Sequence, residues 1–204
     1  MSKPVSTLLL FAHPSIDRSE VNRPLLQRSR EVPGVTIVDL YAEYPRFNID
    51  IDTEQQRLRD HELVIFMFPL YWYSTPALLK EWQDLVLEYG VAYGVDGDAL
   101  RGKSLLCVLS AGGAEDAYRS QGLNHYDIRE LLRPLEQTAT LCGMKFLPPY
   151  TLFGSRTAVE EGRLSAHLDG WENMLRALSA GDLGGEDLAG LTKLNQHPLA
   201  GGER

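Results

Sequence analysis

Val64-Ile65-Phe66-Met67-Phe68-Pro69-Leu70-Tyr71-Trp72-Tyr73-Ser74-Thr75-Pro76-Ala77-Leu78-Leu79-Lys80-Glu81-Trp82 decides how the chain folds. From Leu63 to Phe68 every residue is apolar and nothing alternates, so both faces of this strand are covered, as in a parallel sheet. Pro69 ends the strand, because proline has no N–H to give to a ladder. Ser74 or Thr75 caps the next helix, with Pro76 at its first position, where a missing N–H costs nothing. Leu78, Leu79, Trp82, Leu85 and Val86 then recur at helical spacing. Three aromatics, Tyr71, Trp72 and Tyr73, are left at the carboxyl end of a sheet strand. In open α/β sheets ligands bind there, and a flat conjugated ligand suits aromatic faces.

The same grammar runs outward in both directions. Val5 to Ala12 is a second continuous strand. It leads through the polar loop His13–Asn22 into a helix that Ser19 caps and Pro33-Gly34 stops. Val35 to Leu40 is a strand with Asp39 near its end. Tyr41 to Asp52 is a loop, and Thr53 caps a helix running to His61. On the other side, Glu88 to Gly102 is a glycine-marked surface loop. Ser104 to Ser110 is a strand that Ala111-Gly112-Gly113-Ala114 ends. Tyr126 to Leu141 is a helix that Pro134 kinks. Met144 to Leu147 opens a fifth strand that continues near Tyr150 to Phe153. Thr157 or Ala158 to Leu178 is the last helix. Strands alternating with helices predict a doubly wound, five-stranded parallel sheet in the order 2-1-3-4-5, with its switch point between strands one and three. Residues 1–180 form that domain. Gly181, Gly184, Gly185, Gly190, Gly201 and Gly202 mark residues 181–204 as a flexible or extended tail.

Composition narrows the partners. The 28 acidic and 20 basic residues give a net charge of −8. That argues against nucleic acid, which needs a basic face, and against polybasic docking on anionic lipid. Cys107 and Cys142 have no zinc spacing and make no disulfide framework, so they read as buried thiols in a reducing compartment. His61, His167 and His197 are scattered, and no metal site is expected. The N-terminal apolar run, Thr7 to Ala12, is six residues long with no cleavage site after it. The longest, Leu63 to Tyr73, falls well short of the roughly 20 residues that span a bilayer. A cytoplasmic protein is expected.

Three loops could carry chemistry. The His13–Asn22 loop opens a helix whose free N–H groups suit a phosphate, with His13, Ser19 and Asn22 as further donors. No G-x-G-x-x-G is present, and an ordinary turn with a capping serine fits the same residues. Tyr71, Trp72 and Tyr73 cannot all enter one core, so at least one faces solvent, a ligand or a dimer contact. Gly112-Gly113 permits close backbone approach and positive φ, or simply ends a strand. Tyr118, Asn124 and His125 put polar groups in the next loop.

Leu8-Leu9-Leu10-Phe11-Ala12-His13-Pro14, the run Phe68 to Trp82, and Gly112-Gly113 resemble the flavodoxin-like NAD(P)H:quinone oxidoreductases, in order from about residue 5 to 180. Asp39-Leu40-Tyr41, Phe47-Asn48-Ile49-Asp50-Ile51, Ala117-Tyr118-Arg119, Leu132-Arg133-Pro134 and the ending His197 to Gly202 resemble one branch, the ancillary subunits of glutathione-gated potassium efflux systems. The resemblance implies a non-covalent flavin: FMN in that branch, FAD in larger relatives. It implies that His13, Ser19 and Asn22 take the phosphate end. Leu70, Tyr71, Trp72 and Tyr73 would supply backbone donors and a wall for the ring. Gly112 and Gly113 would meet its pyrimidine side, with Ser110 the one hydroxyl residue kept before them and Ala111 replacing another. It further implies a homodimer with sites at the interface, Tyr93 reaching across, and two-step hydride transfer from NAD(P)H through the flavin to a quinone. The family's catalytic tyrosine and, six residues on, histidine fall at Tyr118 and Asn124, with His125 adjacent. Asparagine donates a hydrogen bond but is no acid near neutral pH, which implies slow catalysis or a substitute in His125. The branch also implies a second role: regulation of a potassium efflux antiporter through its cytoplasmic domain, at the inner face of the membrane. An electron-shuttling flavodoxin is disfavoured, because no acidic docking cluster is evident.

Overall fold

The all-apolar strands find the two covered faces they require. In the computed structural model, which describes residues 3–184 and 186–201, strands β1 (Thr7–Phe11), β2 (Val35–Asp39), β3 (Leu63–Pro69) and β4 (Ser104–Ser110) pair in parallel. The order is β2-β1-β3-β4-β5, as expected. The fifth strand is broken in two. β5 (Lys145–Phe146) pairs with the start of β4, and β6 (Tyr150–Leu152) pairs with its end. Pro148 and Pro149 lie between them and have no N–H for the ladder.

Helices α1 (Asn22–Arg30), α2 (Leu40–Glu43), α3 (Ile51–Asp60), α4 (Ala77–Val86), α5 (Ile128–Leu131), α6 (Arg133–Leu141) and α7 (Arg163–Ala180) complete the two layers. Alternate strand residues serve opposite cores. Leu8, Leu10, Phe66, Phe68, Cys107 and Leu109 pack with Leu58 of α3, Leu78 and Trp82 of α4 and Leu135 of α6. Leu9, Phe11, Ile65, Met67, Leu106 and Val108 pack with Leu25 and Leu26 of α1 and Trp171, Met174 and Leu175 of α7. Each large side chain so buried contributes about 1.5–3 kcal/mol, which is why the strands show no polar alternation.

Several local expectations are corrected. Thr75 and Ser74 do not cap α4: Pro76 is the N-cap residue, no side chain caps it, and the buried Thr75 hydroxyl has no partner among the described residues. Asp50, not Thr53, caps α3, accepting the Thr53 N–H at 3.1 Å. The helix expected over 126–141 is two helices. Asp127 and Glu130 form a capping box for α5, and Pro134 sits in the first turn of α6, where its missing N–H costs nothing. α7 begins only at Arg163, after Gly162 at φ 69°.

The segment after Gly181 is the largest correction. Gly185 and Gly202 lie outside the described residues. Residues 203 and 204 lie outside them too, and the described part is packed rather than extended: Leu188 and Leu194 enter the core on the α7 side. The Leu194 N–H donates to the Pro149 carbonyl at 2.9 Å. The Asn195 amide accepts from the Thr151 N–H at 2.9 Å and donates to its carbonyl at 3.1 Å. A side-chain amide thus occupies the backbone groups that β6 would otherwise expose at the sheet edge.

Candidate functional site

Loops from the carboxyl ends of β1, β3 and β4 converge at the switch point. The Leu70 N–H donates to the Ser110 carbonyl at 2.9 Å, carrying β3 a step further along β4. Tyr71 and Ser74 then exchange both backbone hydrogen bonds, at 3.1 and 3.0 Å. Trp72 and Tyr73 lie between them at φ 49° and 62°. This is a two-residue turn of the primed kind, which wants glycine or asparagine. Positive φ costs an ordinary residue roughly 1–2 kcal/mol, and such strain gathers at functional sites. The turn leaves Trp72 93% exposed. The backbone N–H groups of Trp72 and Tyr73 have no acceptor among the described residues.

This turn, Gly112, Gly113, Tyr118, Leu123 and Asn124 wall a cleft of about 600 Å³ that Arg156 also lines. Neither glycine has positive φ; what they give is close approach. A Cβ on Gly112 would stand 3.5 Å from the Arg156 Nε, and one on Gly113 would press the Tyr118 ring at 3.2 Å. Tyr118 packs against Phe153 with ring centroids 5.3 Å apart. Burial pushes its phenol above the usual range, against the opposing hydrogen bond from Gly113. The Tyr73 hydroxyl donates to the Asn124 Oδ1 at 3.1 Å, leaving the Asn124 amide N–H groups for the cleft. His125 is exposed at φ 60° and does not line the cleft. Tyr118 and Asn124 are therefore brought together, and His125 is left outside. Tyr93 lies edge-on to Tyr89, with centroids 5.8 Å apart, and lines neither this cleft nor the next.

A polar cleft of about 350 Å³ adjoins the first, sharing Tyr71 and Arg156 with it. The Ser19 hydroxyl accepts the Asn22 N–H at 2.8 Å, but Val21, not Ser19, is the N-cap residue of α1 and no side chain caps that helix, which corrects the expected cap. Asn22 Nδ2 donates to Ser110 Oγ at 2.9 Å, and the Ser110 hydroxyl lies 3.3 Å from Asn22 Oδ1. That buried pair ties the start of α1 to the end of β4. His13 Nδ1 accepts the Ser15 N–H at 3.1 Å, so a neutral ring carries its proton on Nε2. Burial holds His13 below the usual histidine range, partly offset by Asp39. The side chains of Arg18 and Arg156 line this cleft and make no ion pair or hydrogen bond among the described residues. Sequence reasoning missed both. Single arginines in loops carry no spacing signal, and only their folded position shows two unpaired cations in a chain of net charge −8. Together the clefts accept an elongated ligand, flat and apolar at one end, anionic at the other.

Comparison with known proteins agrees. Residues 6–175 match a family model described as having a flavodoxin-like fold. The chain is 49% identical over 156 residues to the glutathione-regulated potassium-efflux system ancillary protein KefG of Cronobacter sakazakii, covering 76% of this chain and 85% of that protein. It is 46% identical over 151 residues to an uncharacterized NAD(P)H oxidoreductase, YrkL, of Bacillus subtilis, covering 74% and 87%. Among solved structures, general stress protein 14 of Treponema denticola in complex with FMN superposes with a TM-score of 0.79 at 37% identity, covering 85% of this chain and 99% of that one. An NADPH-quinone reductase from P. pentosaceus gives 0.73 at 29% identity, covering 85% and 97%.

Proposed function

Because this chain belongs to the flavodoxin-like family of NAD(P)H quinone reductases, we propose that it binds FMN and moves hydride from NAD(P)H to a quinone. The observation that carries this reading is the pair of clefts joined at Tyr71 and Arg156. FMN is an elongated molecule with a flat ring and an anionic end, and the residues present fit it. The unpaired N–H groups of Trp72 and Tyr73 would help to hold the flavin ring. Gly112 and Gly113 admit its edge, because no Cβ stands in the way. The start of α1, with Ser19, Asn22 and the Nε2–H of His13, holds the phosphate, and Arg18 and Arg156 neutralise it. Ser110 fixes Asn22 rather than the ring. When bound, FMN would supply the redox chemistry of hydride transfer between a nicotinamide and a quinone.

The chain's own residues position and exclude water. Tyr71 and Tyr118, whose phenols burial pushes above the usual range, donate hydrogen bonds to a stacked substrate, while the Tyr73 hydroxyl is spent on Asn124. Asn124 donates without a titratable proton. His125 takes no part, so His125→Ala should turn over quinone at the normal rate. A fall beyond about threefold in steady-state oxidation of NADPH with a quinone would return it to the site. The main test is the visible spectrum of the purified protein, followed by release and mass measurement of the flavin. FMN is expected; FAD would revise the cofactor, and a colourless protein that takes up neither would end the proposal.

Association belongs to the same reading. Trp72, Tyr73 and Leu123 are exposed apolar residues at the mouth of the cleft, and a patch of this kind marks a contact surface. A homodimer that closes the clefts against each other covers it; a monomer by sedimentation would overturn this. The likeness to KefG favours a second partner, the cytoplasmic part of a potassium efflux antiporter. Among the described residues no helix is long and apolar enough to cross a membrane, so any position at the membrane comes through that partner. Failure to retain the antiporter's soluble domain in a pull-down would remove the regulatory role and leave the enzymatic one.

A further inference from the structure

A separate cavity of about 460 Å³ opens at the carboxyl end of β6, between the start of α7 and the segment after Gly181, and shares no lining residue with the two joined clefts. Two of its lining residues each carry a buried polar atom with no partner among the described residues: Thr151 Oγ1 and His167 Nε2. Both side chains are more than nine-tenths buried, at 3% and 8% exposure. Folded proteins rarely leave such groups unpaired, and here two share one cavity.

The rest of the lining is cationic where it is anchored. Arg163 donates to the carbonyls of Phe153 at 3.0 Å and Gly154 at 3.1 Å, which holds its guanidinium in place. Lys193 lies over the Phe153 ring, 5.1 Å from its centroid. Glu161 and Glu115 pair with these two cations, but each carboxylate is 51% exposed and can turn out to water. No side chain caps the first turn of α7, so the positive end of an 18-residue helix adds to the same side.

We propose that this cavity binds a phosphate monoester through Thr151, His167, Arg163 and Lys193. A phosphate dianion presents three terminal oxygens and so engages a hydroxyl, an imidazole N–H and two cations together, which a carboxylate with two oxygens does not. Two sources of such a group are compatible with the surroundings. One is a free phosphate ester. The other is the 2′-phosphate of NADPH, because a narrow cleft of about 210 Å³ lies between the sites: Tyr118 lines it and the first cleft, and Glu115, Phe153 and Lys193 line it and this cavity. The second source rests on the function proposed above; the phosphate site does not.

The test reads His167 itself. Burial, with the nearby Arg163, pushes this imidazole down to about 3, and a bound dianion must raise it. Inorganic phosphate, titrated into the full chain at a pH where it is a dianion, should move the His167 ring nitrogen resonances along a saturable curve. Thr151→Val removes an unpaired hydroxyl and keeps the shape, so it should fold as well as the parent and bind phosphate about tenfold more weakly. Resonances that do not move, or equal affinity in Thr151→Val, would overturn the site. Kinetics then assign the source. A KM for NADPH that rises about tenfold in Thr151→Val, with the KM for NADH unchanged, identifies the dinucleotide. Unchanged KM values for both, with phosphate binding weakened, identify a separate phosphate ester. A chain that binds phosphate but no flavin would sink the proposed function and leave this site standing.

Discussion

Trp72 and Tyr73 hold a backbone shape that glycine would adopt without strain. Because Trp72 buries almost nothing, removing its side chain costs little in packing. Trp72→Gly should therefore raise the unfolding free energy of the apoprotein, by up to about 1 kcal/mol after glycine's greater freedom when unfolded is subtracted. The same change removes a wall of the ligand cleft and should speed loss of bound flavin, measured by fluorescence of the released cofactor. Lower stability in urea would show that the turn is unstrained. Arg156 is the opposite case, a side chain with no internal partner. Arg156→Ala should leave stability within about 0.5 kcal/mol, while weakening FMN binding roughly tenfold or more, the loss expected of a charge-assisted hydrogen bond. Residue by residue, the sequence revealed what strand ends announce. His13, Tyr71 and Gly112 each stand just past an apolar run, Asn22 opens the helix that follows one, and the chain can be read to that point. Arg156 comes from the loop after β6, where nothing local tells an arginine that faces a cleft from one that faces water.

At the scale of elements, the sheet was legible because strands buried on both faces cannot be disguised. Boundaries set by competition between neighbouring side chains were not. Asp50 and Thr53 are both good caps, and only the folded loop shows that Asp50 reaches the free N–H. Pro134 announced a break, yet a kinked single helix and two short helices have the same sequence signature. Hidden altogether was Glu54, which sits on α3 among the charged residues Asp52, Arg57, Arg59 and Asp60. It is fully buried and accepts hydrogen bonds from Tyr44 at 2.6 Å, from Trp82 of α4 at 2.9 Å, and from Arg57. This carboxylate joins α3, α4 and the loop before α3. Glu54→Ala strands a buried phenol and indole N–H and leaves Arg57 without its nearest partner. The half-open setting of Arg57 softens the loss, so a cost of about 3 kcal/mol is expected, at the low end for breaking a buried ion pair. A urea transition shifted by less than about 1 kcal/mol would mean that water replaces the carboxylate freely.

For the whole molecule, the segment after Gly181 was misread because its glycines were weighed and its leucines were not. Leu188, Leu191 and Leu194 recur every third residue and all pack on the α7-side core. On the same side of the sheet His167 is buried and stacked on Tyr150, with ring centroids 4.4 Å apart, and burial disfavours its charge, which couples global stability to acid. The folded His167 titrates at about 3 against 6.5 for an ordinary histidine. Between those values the unfolded chain binds a proton that the native one refuses, so stability is complete above about pH 6.5 and falls as pH drops towards 3. His13, also lowered, acts in the same direction. Asp39, raised by burial, acts oppositely from just above its usual range. Carboxylates held down by ion pairs, such as Glu136 and Glu172, lose their contribution only below their ordinary value of 4.5. From pH 6.5 to about 5 the histidines therefore dominate, His167 with a slope approaching 1.4 kcal/mol per pH unit and His13 adding in the same direction. His167→Gln, which cannot take up the proton in either state, should remove the His167 slope. Urea unfolding at several pH values across that window measures it. Parallel curves for the parent and His167→Gln would mean that the surroundings of His167 open in acid and let the imidazole charge while the protein stays folded.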